Sequence, residues 1–109
     1  MSKNILLVKL GAIGDVLRTT CVLHGLREKY GKCRITWLTK KSSKEVLLNN
    51  PLIDEIVLFD ADAENSLKGK TFDVVITLDE DYDACEFVNK FKGERIGFYL
   101  ENGKVLVKK

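Results

Sequence analysis

Within ten residues the chain sets two glycines, a carboxylate and two cations: Lys9, Gly11, Gly14, Asp15 and Arg18. An aspartate that follows a glycine turn and opens a helical pattern has two chemical uses. It caps the helix by accepting a backbone N–H, or, kept ionised by the positive end of the helix dipole, it acts as a base toward a bound hydroxyl. The residues alone leave both uses open. Arg18, one turn on, is spaced to reach the same carboxylate. Further along, Lys40, Lys41 and Lys44 form a second cationic group, and Asp79, Glu80, Asp81 and Asp83 form an acidic one. Carboxylates at a strand end either ligate a hard cation or open a helix, where negative charge is favoured. His24, the only histidine, has no partner at a useful spacing and takes no role.

Such residues act together only if the fold brings them to one end of the molecule. Residues 4–10 form a nearly continuous apolar run of strand length, the pattern of a strand covered on both faces. The glycines then remove side chains where the chain is expected to reverse. A helix is expected over 15–29, with Val16, Val22, Leu23, Leu26 and Tyr30 on one arc, Leu17 and Cys21 on a second, and Gly31 as its stop. Strands follow at 33–39, 55–59, 72–78 and 95–98. Between them, Ser42-Ser-Lys-Glu45 has capping-box spacing before a short helix, 60–70 reads as a short helix or loop, and a helix spans 82–90. Glu101-Asn102-Gly103-Lys104 is a turn signal, and Val105-Leu106-Val107 resumes an apolar run.

Strands alternating with helices imply an α/β fold, a Rossmann-like open parallel sheet with helices on both faces; the two most apolar strands, one and four, suggest the order 3-2-1-4-5. Ligands of such sheets collect at the carboxyl ends of the strands. There Lys9, Arg18, Lys40, Lys41 and Lys44 would form a cationic rim. The turn is not a dinucleotide fingerprint, because Gly11 and Gly14 lack its spacing and lysines stand where a ribose-binding acid is expected at the end of strand two. A phosphate-binding P-loop sequence does not occur either.

The stretch Ile5-Leu-Leu-Val-Lys-Leu-Gly-Ala-Ile-Gly-Asp-Val-Leu-Arg-Thr-Thr20 resembles the amino-terminal signature of glycosyltransferase family 9, the lipopolysaccharide heptosyltransferases. Arg34-Ile-Thr-Trp-Leu38, Asn50-Pro-Leu-Ile-Asp-Glu-Ile-Val57, Phe72-Asp-Val-Val-Ile76 and Arg95-Ile-Gly-Phe98 continue the likeness in order. The resemblance implies one half of a two-Rossmann-domain (GT-B) inverting transferase: residues 1–109 as a single acceptor-binding domain, with the nucleotide-sugar-binding domain absent and the chain inactive by itself. It implies Asp15 as the general base, and Lys9, Gly11, Gly14, Arg18, Lys40 and Lys41 around an acidic sugar or lipid-linked oligosaccharide acceptor. Neither cofactor nor metal is implied, and the nucleotide-activated heptose donor would be held by the other domain. The location implied is cytoplasmic, at the inner face of the membrane. Leu78-Asp-Glu-Asp81 departs from the family, which more often has a small uncharged segment there, and Cys21 stands where a proline is common and is expected to be a packing residue.

Composition fits this reading without requiring it. At 109 residues, 45% apolar and 31% charged, the chain suits one globular domain with one core. A net charge of +2, with no basic aromatic stripe, points away from nucleic acid. Cys21, Cys33 and Cys85 are scattered and form no C-x-x-C pair, which argues against a zinc knuckle or disulfide framework and fits a reducing compartment. Neither a leader peptide nor a spanning segment is expected. The alternative is a non-catalytic α/β binding module or a truncated product without transferase activity; its signalling version is weakened because Val8-Lys9-Leu10 ends strand one without an acid. An apolar final strand and a wide apolar helix surface suggest a homo-oligomer.

Overall fold

Apolar runs with strand propensity meet helices of apolar periodicity, and the chain resolves the pattern as one sheet with helices on both faces. The computed structural model describes residues 3–11 and 13–108, the side chain of Lys108 excepted. Met1-Ser2 of the opening, Ala12 of the glycine turn and Lys109 lie outside the described residues. The strands are β1 (Lys3–Val8), β2 (Cys33–Thr39), β3 (Glu55–Leu58), β4 (Val74–Thr77), β5 (Glu94–Glu101) and β6 (Lys104–Lys108). Their order is β3-β2-β1-β4-β5-β6, the expected order of the first five with one strand added. The first five are mutually parallel, and β6 returns antiparallel along β5.

Side-chain alternation divides the core in two. On one face Ile5, Leu7, Ile35, Trp37 and Ile76 pack under α1 (Ile13–Thr19), α2 (Val22–Tyr30) and α3 (Lys44–Leu47), through Val16, Leu23, Leu26 and Leu47. On the other, Leu6, Val8, Leu38 and Val75 pack under α4 (Ala63–Ser66) and α5 (Tyr82–Val88), through Ala63, Ala84 and Phe87, with Leu67 directly after α4. β1 is buried from Ile5 to Val8 because both layers cover it. Each fully buried Leu or Ile there contributes roughly 1.5–3 kcal/mol relative to exposure. The sheet is therefore fully covered where it delivers the glycine turn.

Some of these expectations hold and others are corrected. The single helix over 15–29 is two: Thr20 N donates to Leu17 O, Cys21 N to Arg18 O and Leu23 N to Thr20 O, all three-residue spans at 3.1–3.3 Å. The hydroxyls of Thr19 and Thr20 donate back to Asp15 O and Leu17 O at 2.7 and 2.6 Å, the competition that bends a helix. The second apolar arc faces out; Leu17 is 53% exposed and Cys21 is exposed rather than packed. No side-chain bond caps α3, which instead follows a single 3₁₀ turn, Lys41–Ser43, so the capping box does not form. Residues 60–70 contain only the one-turn α4. Asn102 and Gly103, with φ of 53° and 77°, make the two-residue left-handed turn joining β5 to β6. No described helix is long and apolar enough to cross a membrane.

Candidate functional site

The carboxyl ends of β1, β2 and β4 meet around the turn that leaves β1. Val8 stands opposite Leu38 of β2 and Thr77 of β4, so the residues that follow these three strands are neighbours. Lys9 follows β1 and Asp79 lies two residues beyond β4. The Lys9 ammonium is 3.0 Å from Asp79 Oδ1 and donates to Leu78 O at 3.4 Å, while Leu10 N donates to the other Asp79 oxygen. From the other side Trp37 Nε1 donates to Lys9 O, and Ser43 Oγ to Gly11 O, both at 3.3 Å. Three different segments thus hold residues 9–11 in place.

α1 begins two residues later and places Asp15 in its first turn. The Asp15 side chain is half exposed and accepts a bond from Arg18 Nη2, whose side chain is 78% exposed. A surface pair of this kind is worth about 0–1 kcal/mol, so its members are readily shared with a ligand. Gly14 lies inside α1 rather than at a reversal, and a Cβ built there would meet no described atom within 4 Å. Its contribution is open space beside Asp15. Gly11 is where space is tight: a Cβ there would lie 3.6 Å from Lys9 Nζ and 3.8 Å from Asp79 Oδ1.

Lys40 and Lys41 are exposed on the loop after β2, as is Lys44 at the start of α3. That loop touches the glycine turn through Ser43, and the 3₁₀ turn and α3 both pack on α1. No ion pair joins Lys40, Lys41 or Lys44 to another described residue. On the opposite lip, Asp81 opens α5 by accepting from Asp83 N and Ala84 N at 2.8 and 3.2 Å. The rim is therefore not uniformly cationic: a basic lip after β2 faces an acidic lip after β4, and Lys9 and Arg18 are paired within it. No cluster of metal-ligating side chains forms among the described residues.

Asp79 is the residue that sequence reasoning missed as Lys9's partner, and Trp37 the one missed as an anchor of its carbonyl. The signal for Asp79 was present, since the strand order puts β4 beside β1 and opposite charges follow each strand. A separate groove of about 650 Å³ runs between the α1–α2 junction and α3, lined by Thr20, Cys21, His24, Glu45, Val46 and Asn49 among others. It includes neither Asp15 nor the glycine turn.

No protein-family model matches the chain, and no curated protein matches it in sequence. Solved structures do. The structure of a family 9 glycosyltransferase from Veillonella parvula superposes with a TM-score of 0.79 at 24% identity, over 89% of this chain and 32% of that one. The Escherichia coli heptosyltransferase WaaC with ADP matches with a TM-score of 0.75 at 18% identity, over 86% of this chain and 34% of that one. The same enzyme with ADP-2-deoxy-2-fluoro heptose gives 0.70, again at 18% identity, over 86% and 36%. The chain thus has the fold of a glycosyltransferase Rossmann-like domain and spans about a third of the length of the structures it matches.

Proposed function

We propose that this chain is the acceptor-side domain of an inverting family 9 glycosyltransferase that transfers heptose from an ADP-heptose-type donor to an acceptor of the lipopolysaccharide inner core. The observation that carries the reading is Asp15: a half-exposed carboxylate in the first turn of the helix that follows the buried central strand. The solved structures similar in fold include a heptosyltransferase with ADP and with a fluorinated ADP-heptose.

In this reading the acceptor hydroxyl lies against Asp15, which takes its proton as the oxygen attacks the anomeric carbon of the donor. The glycosidic bond forms, the bond to the nucleotide diphosphate breaks, and one in-line displacement inverts the carbon. Asp15 suits the task because it stands in the first turn of α1, held by Arg18 alone among the described residues, while half of its side chain stays open to a hydroxyl. Lys40 and Lys41 attract the acceptor's phosphates or carboxylates, and Gly11 and Gly14 let it approach the backbone. The donor and its leaving diphosphate belong to a second domain of the same enzyme, and the work is done in the cytoplasm beside the inner membrane. The 109-residue chain alone then transfers nothing.

The test is Asp15→Asn in the complete gene product, assayed for heptose transfer. Loss of the base lowers kcat by roughly 10²–10⁴-fold with the fold unchanged. Turnover near that of the parent enzyme would leave Asp15 a helix-opening residue and end the assignment.

A further inference from the structure

We propose that Asp79 determines which acceptors this site takes, by acting as an internal counter-anion that withholds Lys9 from the ligand. The inference rests on the acceptor reading given above and deepens it. The expected strand order gathers five cations, Lys9, Arg18, Lys40, Lys41 and Lys44, around the glycine turn, but the fold does not present them equally. Lys40, Lys41 and Lys44 are exposed, and Arg18 is 78% exposed. The Lys9 side chain is 16% exposed and its partner Asp79 13%. Both oxygens of Asp79 are engaged at this point, one with the ammonium and one with Leu10 N. The ammonium lies directly beside Gly11, 3.6 Å from where a Cβ would be.

A partly buried ammonium without a counter-charge draws an anion from its surroundings, because its desolvation is otherwise uncompensated. Lys9 without Asp79 would therefore be an anion-binding group at the centre of the site. With Asp79 in place the pair is neutral, and a phosphate or carboxylate approaching it also meets Glu80, Asp81 and Asp83 on the same lip. The acceptor that fits carries its anionic group on the β2 side, against Lys40, Lys41 and Lys44, and presents neutral hydroxyls to the β4 side. An acceptor with acidic groups on both sides of its reacting hydroxyl is rejected.

Inorganic phosphate titrated into the ¹⁵N-labelled chain reads this directly. In the parent chain, shifts are expected at residues 40–44 and not at 9–11. Asp79→Asn retains an acceptor for Leu10 N but drops the charge, and it adds phosphate-dependent shifts at 9–11 with affinity there at least about ten-fold above the parent's, the gain of one charge-assisted contact. Shifts at 9–11 of equal affinity in both proteins, or in neither, would overturn the proposal. If Asp79→Asn fails to fold, acylation of the parent chain by a small activated ester decides the matter. Lys9 reacting at least about ten-fold more slowly than Lys40 and Lys41 supports it, and equal rates overturn it. Neither measurement reads transfer, so failure here is distinct from failure of the Asp15 assignment.

Discussion

Cys21 and Cys85 share a residue type and have opposite environments. Cys21 is exposed at the α1–α2 junction, whereas Cys85 is buried on the inner side of α5 with its Sγ donating to Asp79 O at 3.7 Å. Burial pushes the Cys85 thiol above its ordinary value of 9.0, and the carboxylates of Asp81 and then Asp79 push the same way. A raised thiol value favours the protonated form in the folded chain, so the associated stability is present below 9.0 and is lost as pH rises beyond it. Iodoacetamide at pH 8 should therefore alkylate Cys21 at least about a hundred-fold faster than Cys85, because the thiolate is the nucleophile and only one thiol is reachable. Comparable rates, read by peptide mass spectrometry, would show that α5 opens on the reaction timescale. At this scale the site was half legible. Asp15 and Arg18 are three residues apart and could be paired from spacing. Lys9 and Asp79 are 70 apart, and only the sheet joins them.

Elements were legible wherever one period ruled a stretch, and illegible where local hydrogen bonds competed with it. β1 and β4 show in the sequence because burial on both faces leaves continuous apolar runs. The break between α1 and α2 does not show, because apolar spacing continues across it and the interruption comes from the hydroxyls of Thr19 and Thr20. β5 illustrates a third case, a strand whose constraint lies in its neighbour. Gly97 has a φ of 88°, and a Cβ there would fall deep inside contact distance of Thr77 O in β4. Gly97→Ala must therefore displace β5 from β4 or strain the backbone, in a strand that also carries the β6 hairpin. The variant should lose about 3 kcal/mol or more in urea denaturation, beyond the usual cost of a glycine replacement at positive φ. Gly14→Ala, with open space around it and a helical position, should lie within about 1 kcal/mol of the parent and gain if anything. Equal losses from the two would show that β5 yields at Gly97 without cost.

The whole molecule ends its sheet on an edge that is apolar in the middle and basic at its ends. β6 runs Lys104-Val-Leu-Val-Lys108, with Leu106 38% and Val107 53% exposed, and its outer hydrogen-bonding groups face no described strand. Such an edge is a template for another strand, and a symmetric antiparallel pairing centred on Leu106 would join two copies into one continuous sheet. The lysines of this stretch of sequence, Lys104 and Lys108, make each edge positive, and like-charge repulsion between copies opposes the pairing. Which effect wins depends on ionic strength, since at 1 M salt the screening length falls to about 3 Å while apolar burial along the edge persists. Sedimentation of the chain should therefore show monomer at low salt and dimer at high salt. Leu106→Lys, which puts a charge at the centre of the contact, should remain monomeric in both. A dimer that weakens with salt, or that survives Leu106→Lys, would place the contact elsewhere, first at the exposed Ile13 and Leu17 of α1.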